Sequence, residues 1–242
     1  MFETSNESGK FHVLTPASDR ALLVSFGETL SEESRLRVRS LVRALKGRED
    51  LFLRETQPAY SSVLLTFDPL KTDLDTLAEA IRPILSKIEK SKDVQKGLKP
   101  RHVEIPVCYE SPLAPDLADV AKAVGLTMQA VIDLHSATEF TVCFFGFMPG
   151  FSYWSGLPEK LAVPRLTTPR LKVPPGSVAI GGTQTGIYPI ETPGGWRIIG
   201  RTPVKMFDPS QKRLCYLQLG DRVRLRPISL AEFERAGGTW ES

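Results

Sequence analysis

Apolar positions in the first hundred residues follow two different periods. Residues 11–15 and 21–26 are short apolar runs bounded by Pro, Asp or Gly, which is typical of strands. Residues 29–46 instead repeat apolar side chains at helical spacing, with Thr29 and Glu32 three residues apart as in a capping box. This segment predicts an amphipathic helix. Its apolar stripe consists of Val38, Leu41, Val42 and Leu45.

A similar succession follows up to residue 107. Residues 51–55 and 62–67 predict two strands joined as a hairpin, and a second helical stripe begins near Asp73 with Pro83 in its middle. Residues 102–107 predict one more strand. The order strand, helix, two strands, helix, strand is that of a ferredoxin-like α/β sandwich.

The charged stretch 89–100 has the composition of a linker. We therefore expect three parts, which are a disordered tail at 1–10, the ferredoxin-like domain at 11–96 and a second domain at 97–242.

The second domain changes character along its length. Residues 115–124 and 128–135 predict two short helices at helix-turn-helix spacing. Between Val142 and Pro209, Pro and Gly recur every few residues, which excludes helix and predicts short strands of a closed or nearly closed β-barrel. DNA reading is not favoured, because the exposed positions of the second helix include neither Arg nor Lys. Those positions are Met128, Gln129, Asp133 and His135.

Composition excludes several classes of protein. The net charge of +3 is too small to indicate nucleic acid or a membrane surface as the main partner, and no apolar run resembles a signal peptide or a membrane span. We expect a cytoplasmic protein. Cys108, Cys143 and Cys215 are too few and too widely spaced for a disulfide framework or a zinc site, so no metal ligands are assigned.

Two Pro-Arg steps are the first candidate chemistry. Arg165 and Arg170 each follow a proline that restrains the backbone, and a planar guanidinium binds a carboxylate or phosphate through two oxygens. The alternative is that one or both make surface ion pairs. Gly181 and Gly182 could bring backbone N–H groups to an anion, or could equally be strand bends; no phosphate-binding loop of the GxxxxGK[ST] type occurs.

Further candidates lie on or beside turns. Gln184, Tyr188 and Arg201 occupy positions from which a scaffold can present side chains to a ligand. Trp196 either closes one end of the barrel or stacks on a substrate, and His135 is either a polar helix cap or an inward-facing group.

Six motifs of the chain are distinctive, namely CYESPLAPDLADVAKAVGL, VIDLHSATEFTV, GFMPGFSYWSGLP, PRLTTPR, VPPGSVAIGGTQTGIYPIETPGGW and IGRTPVKMFDP. Together they resemble one known family, that of the 5-oxoprolinase B subunits. It is also described as allophanate hydrolase subunit 1, as a sporulation histidine-kinase inhibitor and as carboxyltransferase domain, subdomain C and D. The resemblance covers most of residues 11–230. Two loops depart from the family pattern, at CYES and at FSYWSGLP.

The resemblance implies a fold and an activity. The fold is α+β, with an N-terminal α/β domain and a C-terminal cyclophilin-like β-barrel. The activity is the ATP-dependent opening of 5-oxoproline to L-glutamate by a complex with the A and C subunits, with Mg²⁺ accompanying ATP. In that setting Arg165, Arg170 or Arg201 would hold a carboxylate or phosphoryl group, and Gln184 and Tyr188 would orient the substrate. The full set of candidates is Arg165, Arg170, Gln184 and Arg201 for catalysis, and His135, Tyr188, Trp196, Gly181 and Gly182 for substrate binding.

Three other functions stay open at this point. The chain could inhibit a sensor histidine kinase, which an exposed apolar patch would favour, or it could belong to a related allophanate or urea amide-processing complex. Prolyl isomerase activity would rest on fold analogy alone.

Overall fold

The computed structural model describes residues 12–27, 31–90 and 100–239. Contacts divide the chain into two compact units, Met1–Lys99 and Pro100–Ser242. The predicted tail at 1–10, the cap residue Thr29 and most of the predicted linker lie outside the described residues, although the second helix extends to Lys90.

The first unit contains one antiparallel sheet of four strands in the order β1-β2-β4-β3. In β2 and β4, one residue in two faces the core, as expected for a sheet covered on one side. The strands are β1 Val13–Ser18, β2 Ala21–Ser25, β3 Leu53–Pro58 and β4 Ser62–Phe67.

The last strand of the expected ferredoxin-like sandwich is not in this sheet. The edge next to β2 is occupied by Val13–Ser18, from the start of the chain, whereas His102–Cys108 pairs along its whole length with Arg222–Ile228 in the second unit. Alternating burial identifies a strand but does not specify its partner, which is why the sequence assigned this strand to the wrong sheet.

Two helices complete the first unit. In α1, Glu32–Leu45, the side chain of Ser31 accepts a hydrogen bond from the Ser34 amide, so Ser31 provides the N-cap. In α2, Leu74–Lys90, the helix continues through Pro83. The helices and the sheet share one core of buried side chains. It includes Leu22, Val24, Val38, Leu41, Val63, Leu65, Leu77, Ile81 and Leu85.

The second unit is built on a closed seven-stranded barrel in the order β10-β7-β6-β13-β5-β12-β9. The pair β13–β5 is parallel and its neighbours are antiparallel. A separate two-stranded sheet consists of β8 and β11. The strands are β5 His102–Cys108, β6 Glu139–Phe145, β7 Ser152–Ser155, β8 Arg170–Val173, β9 Ser177–Gly181, β10 Gln184–Ile187, β11 Thr192–Gly194, β12 Arg197–Arg201 and β13 Arg222–Ile228.

Helices close parts of this barrel. The main core contains residues of α3 and α4 as well as of the strands, so the helices pack directly on the barrel. Between α3 and α4, Gly125 adopts a left-handed conformation at φ 67°, which a helix C-terminus commonly requires. The helices are α3 Leu117–Val124, α4 Met128–Ala137 and α5 Leu230–Arg235, and single 3₁₀ turns occur at Glu49–Leu51 and Glu159–Leu161.

Across residues 12–27, 31–90 and 100–239, none of the helices has the length and apolar character needed to cross a membrane.

Candidate functional site

The hairpin of β9 and β10 presents glycines to one side and larger side chains to the other. Gly181 pairs with Gln184, and Gly186 pairs with Ala179. Trp196 lies against this glycine-rich face, because a Cβ added to Gly181 would come within 2.5 Å of the indole, and one added to Gly186 would lie 3.5 Å from it. Glycine is therefore required at Gly181 for the indole to pack flat on the hairpin.

Backbone pairing brings Arg165 to the same place. Val163 forms a bridge with Gly182, and the amide of Leu166 donates to the carbonyl of Gly195 at 2.7 Å. The Arg165 guanidinium consequently lies over the Trp196 ring, 5.8 Å from its centroid. We call Arg165, Gly181, Gly182, Gln184 and Trp196 the Trp196 platform.

Arg165 is the exposed cation of the platform. Within the described part of the chain, its side chain has no ion-pair partner, and stacking on an aromatic face leaves the edge of a guanidinium available to accept a ligand. The indole of Trp196 is itself buried, so the exposed guanidinium is the part of the platform that is suited to bind a carboxylate.

Aromatic side chains extend the platform beneath Trp196. The rings of Phe151 and Tyr153 lie 5.5 and 5.9 Å from that of Trp196, edge to face. Phe151 also contacts Tyr188 at 5.3 Å, and Tyr188 is buried. Burial raises the pKa of the Tyr188 phenol, while the Trp196 backbone and the charge of Arg165 oppose that rise. The Tyr188 phenol is therefore held neutral below the platform.

Gly194 is also required for this packing. A Cβ at Gly194 would lie 2.5 Å from the Tyr188 hydroxyl oxygen. Tyr188 therefore supports the segment leading into Trp196 and is not itself exposed on the platform.

Arg170 is placed differently from Arg165. Its Nη2 donates to Asp116 Oδ1 at 2.6 Å, and the other oxygen of Asp116 accepts from the Ile198 amide at 2.7 Å. Asp116 is buried, so Arg170 serves as the counter-ion of an internal carboxylate. This pair connects β8 to β12, and the ion-pair alternative considered from the sequence applies to Arg170.

Arg201 lies in a separate cleft. Its Nη1 donates to the carbonyl of Thr239 at 3.1 Å, and burial lowers the pKa of the guanidinium. The residues that line this cleft do not include any member of the Trp196 platform.

His135 is inside the barrel and has no exposed surface. Its Nδ1 is 2.9 Å from the Tyr109 hydroxyl and its Nε2 is 3.0 Å from Thr185 Oγ1. Because Thr185 donates to the Ala179 carbonyl, its oxygen is the acceptor for Nε2–H, and Tyr109 donates to Nδ1. Burial lowers the pKa of His135 to about 3, so the ring is neutral. A role in direct substrate contact, expected from the sequence, is replaced by a structural role.

The structure thus gathers five of the nine sequence candidates in the platform, with Tyr188 directly below it. Arg170, Arg201 and His135 are elsewhere. Sequence reasoning missed Asp116, Thr185 and Tyr153. Asp116 had a signal, since it immediately precedes an amphipathic helix, but its bonds to Ile198 and Arg170 join residues 82 and 54 positions away.

Across the residues that the structure describes, no group of three or more His, Cys, Asp and Glu side chains is placed to hold a metal ion.

Comparison with known proteins assigns the family. The model of the family "Carboxyltransferase domain, subdomain C and D" matches residues 12–217. The chain belongs to this family. The match includes every residue of the Trp196 platform and ends before α5, so the wall of the Arg201 cleft formed by residues 233–239 lies beyond it.

Two curated proteins that are similar to this chain are named as the B subunit of 5-oxoprolinase. The chain is 34% identical to that of Bacillus subtilis (strain 168), over 89% of the chain and 92% of the relative. It is 47% identical to that of Escherichia coli O157:H7, over 59% of the chain and 66% of the relative.

Two solved structures are also similar. The protein TTHA0988 superposes with a TM-score of 0.76 at 34% identity over 88% of this chain, which corresponds to 40% of the length of that protein. The K. lactis urea amidolyase superposes with a TM-score of 0.75 over 93% of this chain and 15% of its own length. At 20% identity, this second likeness establishes only that the carboxyltransferase-domain fold is shared.

Proposed function

We propose that this chain is the B subunit of an ATP-dependent 5-oxoprolinase, which opens 5-oxoproline to L-glutamate together with the A and C subunits and is inactive alone. The names of the curated relatives support this assignment. The observation that carries it is the exposed guanidinium of Arg165 held over Trp196.

The chemistry of 5-oxoproline suits this position. The substrate is a small ring with one carboxylate, so it needs a cation beside an apolar surface. A bidentate guanidinium–carboxylate contact would fix the ring in one orientation. Gln184, at the first position of β10, lies opposite Gly181 and would orient the lactam amide from the other side of the platform.

Lactam opening requires activation of the carbonyl carbon. Transfer of the γ-phosphoryl group of ATP to the lactam oxygen would produce a phosphorylated imidate and ADP. Attack of one water on the ring carbon, with protonation of the nitrogen, would then break the C–N bond and give γ-glutamyl phosphate. A second water would hydrolyse this acyl phosphate to glutamate and phosphate. No step is assigned to Mg²⁺ within this chain. The role inferred for this chain is to bind and orient the substrate, while the A and C subunits would provide the remaining groups.

The test is reconstitution. Wild-type chain mixed with the A and C subunits should form glutamate from 5-oxoproline only when ATP and all three proteins are present. Arg165→Ala should lower kcat/KM by about 100-fold, which corresponds to the loss of a charge-assisted contact of about 1.5–3 kcal/mol. Arg165→Lys should recover only part of this, because it keeps the charge without the planar fork.

Arg224→Ala is the matched control, since Arg224 is an exposed arginine on β13. It should leave kcat/KM unchanged. Full activity of Arg165→Ala in an assembled complex would refute the substrate role of Arg165, and no activity of the assembled wild-type complex would refute the 5-oxoprolinase assignment.

One observation favours a second candidate, inhibition of a sensor histidine kinase. Phe147 is 63% exposed beside the aromatic cluster, at an edge-to-face distance of 5.6 Å from Phe151. Such a side chain could contact a helix of a kinase. Phe147→Asp would abolish kinase inhibition under this alternative, while the 5-oxoprolinase proposal predicts no kinase inhibition by the wild-type chain.

The related urea or allophanate amide-processing complex is the other alternative. The similarity in fold to urea amidolyase supports it. Turnover of allophanate in place of 5-oxoproline by the reconstituted complex would establish it.

A further inference from the structure

A second cleft lies in the barrel unit, with no residue in common with the Trp196 platform. Its volume is about 370 Å³. One wall comes from the turn before β9, a second from the end of β12 and the residues that follow it, and a third from α5 and its C-terminal extension. The lining includes Pro174, Pro175, Gly176, Arg201, Lys205 and Thr239.

The charges in this cleft are unbalanced. Arg201 and Lys205 contribute two cations. The acidic side chain in the lining, Glu191, already pairs with Lys172 at 3.3 Å. Since a cleft with low-dielectric walls concentrates the field of its charges, this lining attracts anions.

The guanidinium of Arg201 is incompletely satisfied. Its Nη1 donates to the Thr239 carbonyl, while within the described part of the chain its buried Nε has no hydrogen-bond partner. A carbonyl oxygen carries only a partial negative charge, so it does not neutralise the guanidinium as a carboxylate or phosphate would. Burial lowers the pKa of Arg201, which indicates that the folded protein alone does not fully compensate this cation.

We propose that the cleft of Arg201 and Lys205 is a second binding site, which takes a small oxyanion, either a carboxylate or a phosphate. Arg201 and Lys205, which both line the cleft, bind the oxyanion. The proline-rich walls pack against any apolar part of the ligand. This inference does not depend on the proposed 5-oxoprolinase function, because it concerns other residues and is tested on the isolated chain.

The test is titration calorimetry of the full chain with sodium phosphate and, separately, with sodium acetate, both at constant ionic strength with chloride as the balancing anion. At least one of the two should bind saturably at one site, and the stronger of them identifies the class of ligand. Arg201→Gln should weaken that binding by at least tenfold, as expected for the loss of a hydrogen bond to a charged group. Lys205→Gln should weaken it less, because Lys205 is exposed.

A control separates this site from general electrostatic attraction. Arg224→Gln alters an exposed arginine elsewhere and should bind the probe as the wild type does. If Arg201→Gln does not fold, Arg201→Lys and the surface variant Lys205→Gln provide the same comparison. The proposal is overturned if neither probe binds saturably, if the cleft variants bind as the wild type does, or if the control variant loses as much affinity.

Discussion

The two faces of strand β10 lie in different environments. Thr185 faces the barrel interior, where it bonds with His135, and the neighbouring Gly186 faces Trp196 on the outside. One residue along the chain thus separates a closed hydrogen-bond network from the Trp196 platform.

The interior network satisfies its own members. Tyr109, His135, Thr185 and the carbonyl of Ala179 form a continuous chain of hydrogen bonds without exposed atoms of His135. On the outside, Arg165 stacks on Trp196 and remains exposed. A histidine packed in a barrel therefore need not be catalytic. The contrast suggests a rule: variants of the interior should change stability, and a variant of the exposed Arg165 should change activity.

The largest expected effect on stability comes from protonation of His135. Its pKa is about 3 in the folded protein because of burial, against about 6.5 when unfolded. Between these values the unfolded chain binds the additional proton, so the free energy of unfolding decreases as the pH falls below about 6.5, by about 1.4 kcal/mol per pH unit until about pH 3. Urea denaturation at a series of pH values measures this slope.

The same series of urea denaturations on His135→Gln separates two contributions to the pH dependence of the free energy of unfolding, that of the His135 imidazole and that of the carboxylates elsewhere in the chain. The variant should be less stable than wild type at pH 8, and the difference should shrink as the pH falls. A difference between wild type and His135→Gln that does not vary with pH would contradict the buried neutral state.

The next largest effect concerns the fit between the platform and the hairpin. Gly181→Ala places a methyl group 2.5 Å from the Trp196 indole, so the ring must move away. We expect a loss of about 2–3 kcal/mol in the free energy of unfolding, as for overpacked cores. The near-ultraviolet circular dichroism of the tryptophans should also change.

The adjacent Gly182 provides the control. It has φ 64° and open space around its Cβ position, so Gly182→Ala incurs only backbone strain, of about 1–2 kcal/mol, and leaves the tryptophan signal intact. An unchanged near-ultraviolet spectrum for Gly181→Ala would contradict the packing of Trp196 on the hairpin.

A smaller effect should follow from removal of one interior hydroxyl. Tyr109→Phe leaves Nδ1 of His135 without its donor, at a cost of about 1–2 kcal/mol measured by urea denaturation. Tyr153→Phe removes a hydroxyl from the platform side and should cost less, because Tyr153 is only partly buried. Equal losses for the two variants would contradict the distinction between a closed interior and an open exterior.

Local pattern was sufficient to predict some of these features and not others. The helices and most strands follow from periodicity, and the turn-rich segment correctly predicted a barrel. Strand His102–Cys108 was assigned to the wrong sheet, since its partner Arg222–Ile228 is 120 residues away and strand pairing is not encoded in alternation.

The grouping of residues in the Trp196 platform was predictable only in part. Arg165, Gly181, Gln184 and Trp196 lie near one another in sequence, and a turn-rich scaffold brings them together. Arg170 has the same Pro-Arg context as Arg165, and only the distant Asp116 distinguishes it. Which way a side chain faces across a barrel wall depends on register, which is why His135 was placed among the ligand contacts.

The smallest expected effect on stability belongs to the residue with the largest expected effect on activity. An exposed cation–π contact contributes about 0.5–1 kcal/mol, so Arg165→Ala should lower the free energy of unfolding by no more than this amount. The same variant should lose about 100-fold in kcat/KM, provided that Arg165 holds the substrate carboxylate. Urea denaturation and the reconstituted assay on one preparation measure both. A large loss of stability with a proportionate loss of activity would instead make Arg165 a structural residue, and the rule that separates the two faces of β10 would fail at its most important position.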